Sequence, residues 1–386
     1  MATKAGQLRH GAPERNRRPR KGRGGRTGAN TPAGTVSGGE AVLLVGEDPL
    51  FVDHDPGRGH PERPARLDAV HAGVAHAVRE LGGEGAMVAP LPRRDASREE
   101  IARVHSPAHV ARLETLAEHG GGRIDYDTAM SAGSWTAAVR AAGAGLAAAD
   151  ALAAGDGDAA FLALRPPGHH ARPEGAMGFC LLNNIAIVAA ALAERGEQVL
   201  VIDYDAHHGN GTQEIFYTDP RVAYVSFHEW PLYPGTGRID EIGGGDAVGT
   251  TCNVPLPAGA TGDLYLRAFD EVVAPLAARH EPDWVLVSCG FDAHRADPLT
   301  GLGLSVGDYA ALATRVMQLT PRQGRLIVFL EGGYDLDALR DSTASTVASL
   351  VGESMTCPEE QTSGGPGREV VDAAAALWRQ VADRSN

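Results

Sequence analysis

Short apolar runs, several of them unbroken by any polar residue, alternate with helical stretches along this chain, and that rhythm constrains its fold more than any other feature. The runs are Ala41–Val45, Ala159–Leu164, Val199–Asp203, Val222–Phe227, Trp284–Ser288 and Leu326–Leu330. A strand with one wet face alternates apolar and polar residues, whereas a strand buried on both faces does not. Helical periodicity marks Pro64–Leu81, Ser134–Ala154, Leu181–Arg195, Asp263–Arg279, Val306–Leu319 and Leu336–Leu350. A loop at Gly352–Gly367 then precedes a last helix near Val370–Val381. Strand–helix alternation at this spacing predicts a parallel sheet covered by helices. No internal repeat divides the chain, so residues 39–386 are expected to form one domain behind a tail, 1–38.

That tail is rich in Gly, Pro, Arg and Thr without periodicity, which predicts disorder. Residues 1–34 carry nine Lys/Arg against Glu14 alone, about +8, so the rest of a chain of net charge −14 carries about −22. A solvated tail is the expected reading, and an arm with weak affinity for nucleic acid is the alternative. Both lysines of the protein, Lys4 and Lys21, lie in it. The four cysteines, Cys180, Cys252, Cys289 and Cys357, form no Cys-x-x-Cys pair, a pattern of reduced thiols rather than of a disulfide framework. No apolar run reaches the roughly 18 residues of a membrane span, since Arg140 and Asp150 interrupt the Ala-rich stretch Ala137–Ala154. No membrane association and a cytoplasmic location are expected, because the basic start leads into no hydrophobic segment.

Polar residues gather just after the apolar runs: Arg165–His170, Asp203–Asn210, His228, Asp292 and Glu331–Tyr334. In open parallel sheets ligands bind outside the carboxyl ends of the strands, so five strand ends are expected to converge on one site. The run Val199–Asp203 continues into Asp205 and His207, and period-two alternation points Asp203, Asp205 and His207 to one side. Asp205 and His207 would offer an oxygen and a nitrogen, and Asp292 a second oxygen. Three protein ligands with an open position is the arrangement of a catalytic zinc site. Arg165-Pro-Pro-Gly-His-His170 offers two imidazoles for proton transfer at a rigid turn. In Glu331-Gly-Gly-Tyr334 the glycines permit close backbone approach and let a phenol reach the pocket. A metal beside that phenol would polarise a scissile carbonyl and stabilise the resulting oxyanion.

These segments resemble the histone deacetylases, specifically their class II-like and bacterial branch, from about Ala41 to Val351. His60-Pro-Glu-Arg-Pro-Ala-Arg66-Leu, Asp127-Thr128, Gly178-Phe-Cys-Leu-Leu-Asn-Asn184 and Tyr233-Pro-Gly-Thr-Gly237 follow in the family's order. The resemblance implies the arginase/deacetylase fold, a three-layer α/β/α sandwich with a mostly parallel sheet. It implies Asp205, His207 and Asp292 as ligands of one Zn2+, and two oxygens with one nitrogen also suit Fe2+, Mn2+ or Co2+. His169, paired with Asp203, and His170, paired with Asn210, would be the acid/base dyad, and Tyr334 the transition-state donor. An amide partner raises His170 less than a carboxylate would, which favours His170 as the base. Gly178, Phe179 and Tyr233 would wall the acyl channel, with Asp127 at its rim, Leu299 at its lip and Arg66 at its floor. Tyr233 departs from the Phe common in that position. A structural monovalent cation, K+, is implied on Asp203, Asp205, His207, Ser226 and Phe227. His208, His228 and His294 read as structural, and Arg172 and Glu174 as parts of a solvated loop.

The activity implied is removal of acetyl or similar acyl groups from lysine side chains of a peptide or protein, or from a small acylated amine. Acetylpolyamine hydrolysis is the main alternative. One polyamine-selective branch carries Glu after the Asp-Pro that follows the last metal ligand, and here Leu299 follows Asp297-Pro298. A two-manganese ureohydrolase would need bridging carboxylates where Gly209 and His294 stand. A non-catalytic binder of acylated ligands would be expected to lack Tyr334, a dyad His or a ligand, and none is missing.

Overall fold

In the computed structural model, eight strands form one sheet in the order β2-β1-β5-β10-β9-β6-β7-β8, and every neighbouring pair is parallel. The strands are β1 (Ala41–Gly46), β2 (Ala86–Pro90), β5 (Ala159–Leu162), β6 (Val199–Asp203), β7 (Val222–Glu229), β8 (Thr251–Leu256), β9 (Trp284–Cys289) and β10 (Leu326–Leu330). A separate antiparallel hairpin joins β3 (Gly121–Arg123) to β4 (Ala129–Ser131). The structure describes residues 41–81 and 86–384, so the predicted disordered tail, 1–38, lies outside the described residues.

Every residue of β5, β6, β9 and β10 is buried, as unbroken apolar runs require. Besides the short hairpin strands β3 and β4, the sequence pattern missed β2 and β8, which are the two edges of the eight-stranded sheet, and each contains a proline, Pro90 or Pro255. A residue without an N–H is tolerated at an edge and weakens the strand signal there.

Helices cover both faces and give the three-layer α/β/α sandwich. Ser134–Ala154 and Asn184–Glu194 pack on each other and on β1, β5, β6, β9 and β10. Ala65–Glu80, Leu336–Leu350 and Val306–Leu319 pack together in the opposite layer. The long apolar helix Ser134–Ala154 is a core element, buried over most of its length. Gly145 lets it sit this close, because a Cβ there would lie 2.7 Å from Val188 and 2.8 Å from Phe329.

The helix expected at Asp263–Arg279 is instead three segments: Gly262–Ala268, a π-helical turn at Phe269–Val273, and Ala274–His280. Pro275 is the physical reason. It has no N–H for the ladder and its ring crowds the carbonyl four residues back, so the preceding turn widens.

One consequence of the topology fixes the site. β5, β10, β9, β6 and β7 are contiguous in the sheet, so their carboxyl ends lie side by side and the polar segments that follow them are neighbours in space.

Candidate active site

At the centre lie Asp205, His207 and Asp292, whose donor atoms are all within 4.8 Å of one another. Asp205 leaves β6 with both oxygens tied to the main chain, Oδ1 to the His207 N–H and Oδ2 to the Gly332 N–H, each at 2.8 Å. Asp292 accepts the Ala206 N–H at 2.8 Å. His207 Nδ1 stands 3.2 Å from Asp205 Oδ1 and 2.9 Å from Asp292 Oδ2. Burial and the neighbouring Asp205 charge push Asp292 up to about 7 against the pull of His207. For Asp205 burial acts upward, but the His169 and His207 charges and hydrogen bonds hold it well below the usual carboxylate range. Two buried carboxylates converge on one imidazole nitrogen, and the positive charges acting on them come from imidazoles. Such a donor set fits a divalent cation, which would relieve the repulsion between the carboxylates.

The tandem histidines face this cluster, their ring centroids 4.0 Å apart, yet their surroundings are opposite. His169 Nδ1 lies 3.0 Å from Asp203 Oδ2. Burial would lower its pKa, but the Asp203, Asp205 and Glu331 charges prevail and raise it to about 10. His170 Nδ1 lies 2.8 Å from Asn210 Oδ1, while the Asn210 amide donates to Met177 Sδ at 3.4 Å. That orientation makes His170 Nδ1 the donor and leaves Nε2 an unprotonated lone pair. Burial and the charges of His169 and His207 hold His170 well below the usual imidazole range.

A pocket of about 220 Å³ opens over these groups. His169, His170, Asp205, His207 and Tyr334 form its depth, and Asp127, Gly178, Phe179, Tyr233 and Leu299 form its walls and mouth. Phe179 meets the Tyr334 ring edge-on, with centroids 6.0 Å apart, and Tyr233 meets His170 at 5.3 Å. Gly178 has φ +54°, and a Cβ there would collide with the His170 ring. Phe179 itself is left-handed, φ 67°. Thr128 Oγ1 accepts its N–H at 3.2 Å, so the loop that bears Asp127 also holds the channel wall.

Beneath Tyr334 the buried Arg66 guanidinium lies 5.1 Å from the ring centroid and donates to the carbonyls of Gly333 and Glu331 at 2.6 and 2.5 Å. Burial holds the Tyr334 hydroxyl well above the usual phenol range despite Arg66, so it stays a donor. Asp203, Asn210, Asp292 and Arg66 thus support the pocket from behind.

The remaining predicted residues separate. Ser226 pairs with Asp203 across β6 and β7, and its hydroxyl lies 2.9 Å from His228 Nδ1. The Phe227 ring stacks between Tyr265 and Phe269, each at 5.2 Å, which leaves only its main chain for a monovalent ion. His208, His228 and His294 are engaged by Thr236 and Gln213, by Ser226 and Gly237, and by Glu359. Arg172 pairs with Glu214, and Glu174 accepts from Ser106, away from the pocket mouth.

Three supporting carboxylates were given no role by the sequence. Glu331 Oε2 accepts the N–H groups of Gly168 and His169 at 2.7 and 3.2 Å. Asp297 accepts those of Tyr334 and Leu299 at 2.7 and 2.9 Å. Glu62 sits between Arg165 (2.5 Å), Arg66 (3.2 Å) and His54 (3.2 Å). Each stands in or beside a motif, but at least one of its partners lies far along the chain: Arg165 for Glu62, Tyr334 for Asp297, and Gly168 and His169 for Glu331.

Comparison with known proteins gives a consistent picture. The histone deacetylase domain profile matches residues 60–350. A probable deacetylase of Archaeoglobus fulgidus is 38% identical over 335 residues, covering 86% of this chain and 90% of that protein. A histone deacetylase-like amidohydrolase of Pseudomonas aeruginosa is 40% identical over 244 residues, covering 62% of this chain and 64% of that protein. The crystal structure of the HDA15 HD domain superposes with a TM-score of 0.79 at 33% identity, over 89% of this chain and 97% of the other.

Proposed function

Since the chain belongs to the histone deacetylase family, we propose that it hydrolyses acetyl, or similar acyl, amides of lysine side chains through one divalent cation, the tandem histidines and Tyr334. The observation that carries this reading is the donor set of Asp205, His207 and Asp292 set against His170 and Tyr334 in one pocket.

Asp205, His207 and Asp292 would hold the cation, Zn2+ by the character of the donors, with Fe2+, Mn2+ or Co2+ as substitutes. Bound there, it supplies Lewis acidity for the amide carbonyl and for a water. The other tasks fall to the chain. His170 Nε2, unprotonated because Nδ1–H is given to Asn210, takes the proton of the attacking water. Tyr334 donates to the carbonyl oxygen as negative charge grows on it. His170 then returns its proton to the leaving amine, while His169, held charged beside Asp203, remains an imidazolium. Phe179 and Tyr233 exclude water from the aliphatic stem of the substrate. K+ is proposed at the strand ends around Asp203 and Asp205, with main-chain groups of Ser226 and Phe227.

An acylated lysine peptide is favoured over an acetylpolyamine by Leu299, apolar and 38% exposed at the lip, which cannot repay desolvation of a second ammonium. The test is turnover by the purified, metal-analysed enzyme of acetyl-lysine peptides, longer acyl-lysines and acetylpolyamines. Stoichiometric metal with fastest turnover of acyl-lysine is expected. Turnover by metal-free protein, or none on any acylated amine, would overturn the reading.

A further inference from the structure

His169, Cys180 and Glu331 meet at one side of the pocket, with a nitrogen, a sulfur and an oxygen all within 4.8 Å of one another. They come from three separate segments, after β5, before the helix Asn184–Glu194 and after β10. All three are buried, with exposures of 3%, 0% and 1%.

Each has an atom that the hydrolytic steps leave uncommitted. Glu331 spends Oε2 on the N–H groups of Gly168 and His169, but Oε1 is buried without a hydrogen-bond partner. Buried polar atoms are nearly always paired, and leaving one unpaired is costly. Cys180 gives only a weak S–H bond to the Gly178 carbonyl, at 3.3 Å. His169 commits Nδ1 to Asp203, which leaves Nε2, itself 3.9 Å from Asp205 Oδ1. The hydrolytic steps above use neither Cys180 nor Glu331 Oε1. Asp203 and Asp205 make the surroundings negative, which favours a cation.

We propose that His169, Cys180 and Glu331 form a second cation site, inhibitory, distinct from the Asp205–His207–Asp292 set and selective for thiophilic ions such as Zn2+ or Cd2+ over Mg2+ and Ca2+. A thiolate beside an imidazole suits borderline and soft ions, and all-oxygen coordination suits Mg2+ and Ca2+. Binding releases the Cys180 proton and the Nε2 proton of the His169 imidazolium to solvent and takes Nε2 of His169 out of the dyad. His169 and Cys180 both line the pocket, so the ion enters by the substrate channel. The inhibitory consequence, though not the binding, rests on the catalytic reading above.

The experiment starts from enzyme holding one Zn2+ per chain and titrates further Zn2+ or Cd2+. Turnover of an acetyl-lysine peptide should fall, and Cd2+ should add one thiolate-to-metal charge-transfer band per chain in the ultraviolet. Cys180→Ser should remove the band and raise the inhibition midpoint, measured against that variant's own uninhibited rate, by about tenfold or more. Glu331→Gln, which keeps an acceptor for the two N–H groups, should weaken band and inhibition together. A band that survives Cys180→Ser, or a midpoint unchanged in both variants, overturns the proposal. Should the enzyme turn over no acylated amine while the band is lost in Cys180→Ser, the catalytic reading fails and the cation site stands.

Discussion

Asp205 is 1% exposed, and both its oxygens are already fixed by main-chain N–H groups; Leu299, at the lip of the same pocket, is 38% exposed and carries no polar contact on its side chain. The contrast extends to their regions. Asp203 ends a buried parallel strand, and Asp205, Asp292 and Glu331 follow such strands. Gly178, Phe179, Tyr233, Leu299 and Asp127 sit on connecting segments pinned at a few points, such as Thr128 to Phe179 and Asp297 to Leu299. A centre held this way is organised before substrate arrives, which is what electrostatic catalysis needs. A channel built from loops can change its preferences without disturbing the centre.

That division can be broken by experiment. Asp205→Ala and His207→Ala should each abolish turnover and stoichiometric metal together, since each removes one of the three proposed ligands; metal analysis beside an activity assay checks it, and a variant that keeps its metal contradicts it. Tyr334→Phe should retain fold, metal and ligand affinity while kcat falls by about 10²–10³. Near-normal turnover would place Tyr334 outside the chemistry.

Asn210→Asp sharpens the comparison within the dyad. His170 must be neutral to act as a base, and its pKa lies well below the ordinary imidazole value, so the wild-type rate should hold from neutral pH well into the acid range as far as this group is concerned. A carboxylate partner stabilises the imidazolium and raises the pKa by about one to three units. The acid limb of the pH–rate profile should therefore move to higher pH, with activity lost first below neutrality. An unmoved limb would mean that His170 is not the base. The smallest effect is expected at the lip. Leu299→Glu should shift kcat/KM from acetyl-lysine peptide towards acetylspermidine by about tenfold, roughly 1.4 kcal/mol, and less at high salt. A comparable loss of kcat on both substrates would show that lip and centre are coupled after all.

The same division decides how much could be read from the sequence. β6 and β10 are found at their predicted bounds, Val199–Asp203 and Leu326–Leu330, because burial on both faces writes an unbroken apolar run. Of the edge strands, β2 has only four apolar residues before Pro90, and β8 mixes Thr251 and Asn253 with apolar residues and contains Pro255, so neither writes a long run. His169, His170, Asp205, His207 and Tyr334 are legible because polar residues that directly follow a buried parallel strand stand where such sheets bind their ligands. Their supports are not, since no local period announces them. Glu62 finds Arg165 across 103 residues, Asp297 finds Tyr334 across 37, and Glu331 finds Gly168 across 163. Only the folded topology brings such pairs together, and only burial distinguishes them from surface acids.

The strand order also bears on how such a chain comes into being. As it is synthesised, β1, β2 and β5 can pair with one another, and β6, β7, β8 and β9 can later pair among themselves, but β10 alone bridges β5 and β9. The last strand made is thus the one that joins two half-sheets, and pairing across such long stretches of chain is intrinsically slow. The site straddles the join: His169 and His170 hang from the first half, Asp205, His207 and Asp292 from the second, and Glu331 and Tyr334 from the bridging strand itself. A chain that stops short of Leu330 would therefore hold both halves of the site with nothing between them, and the pocket would be complete only with that final strand in the middle.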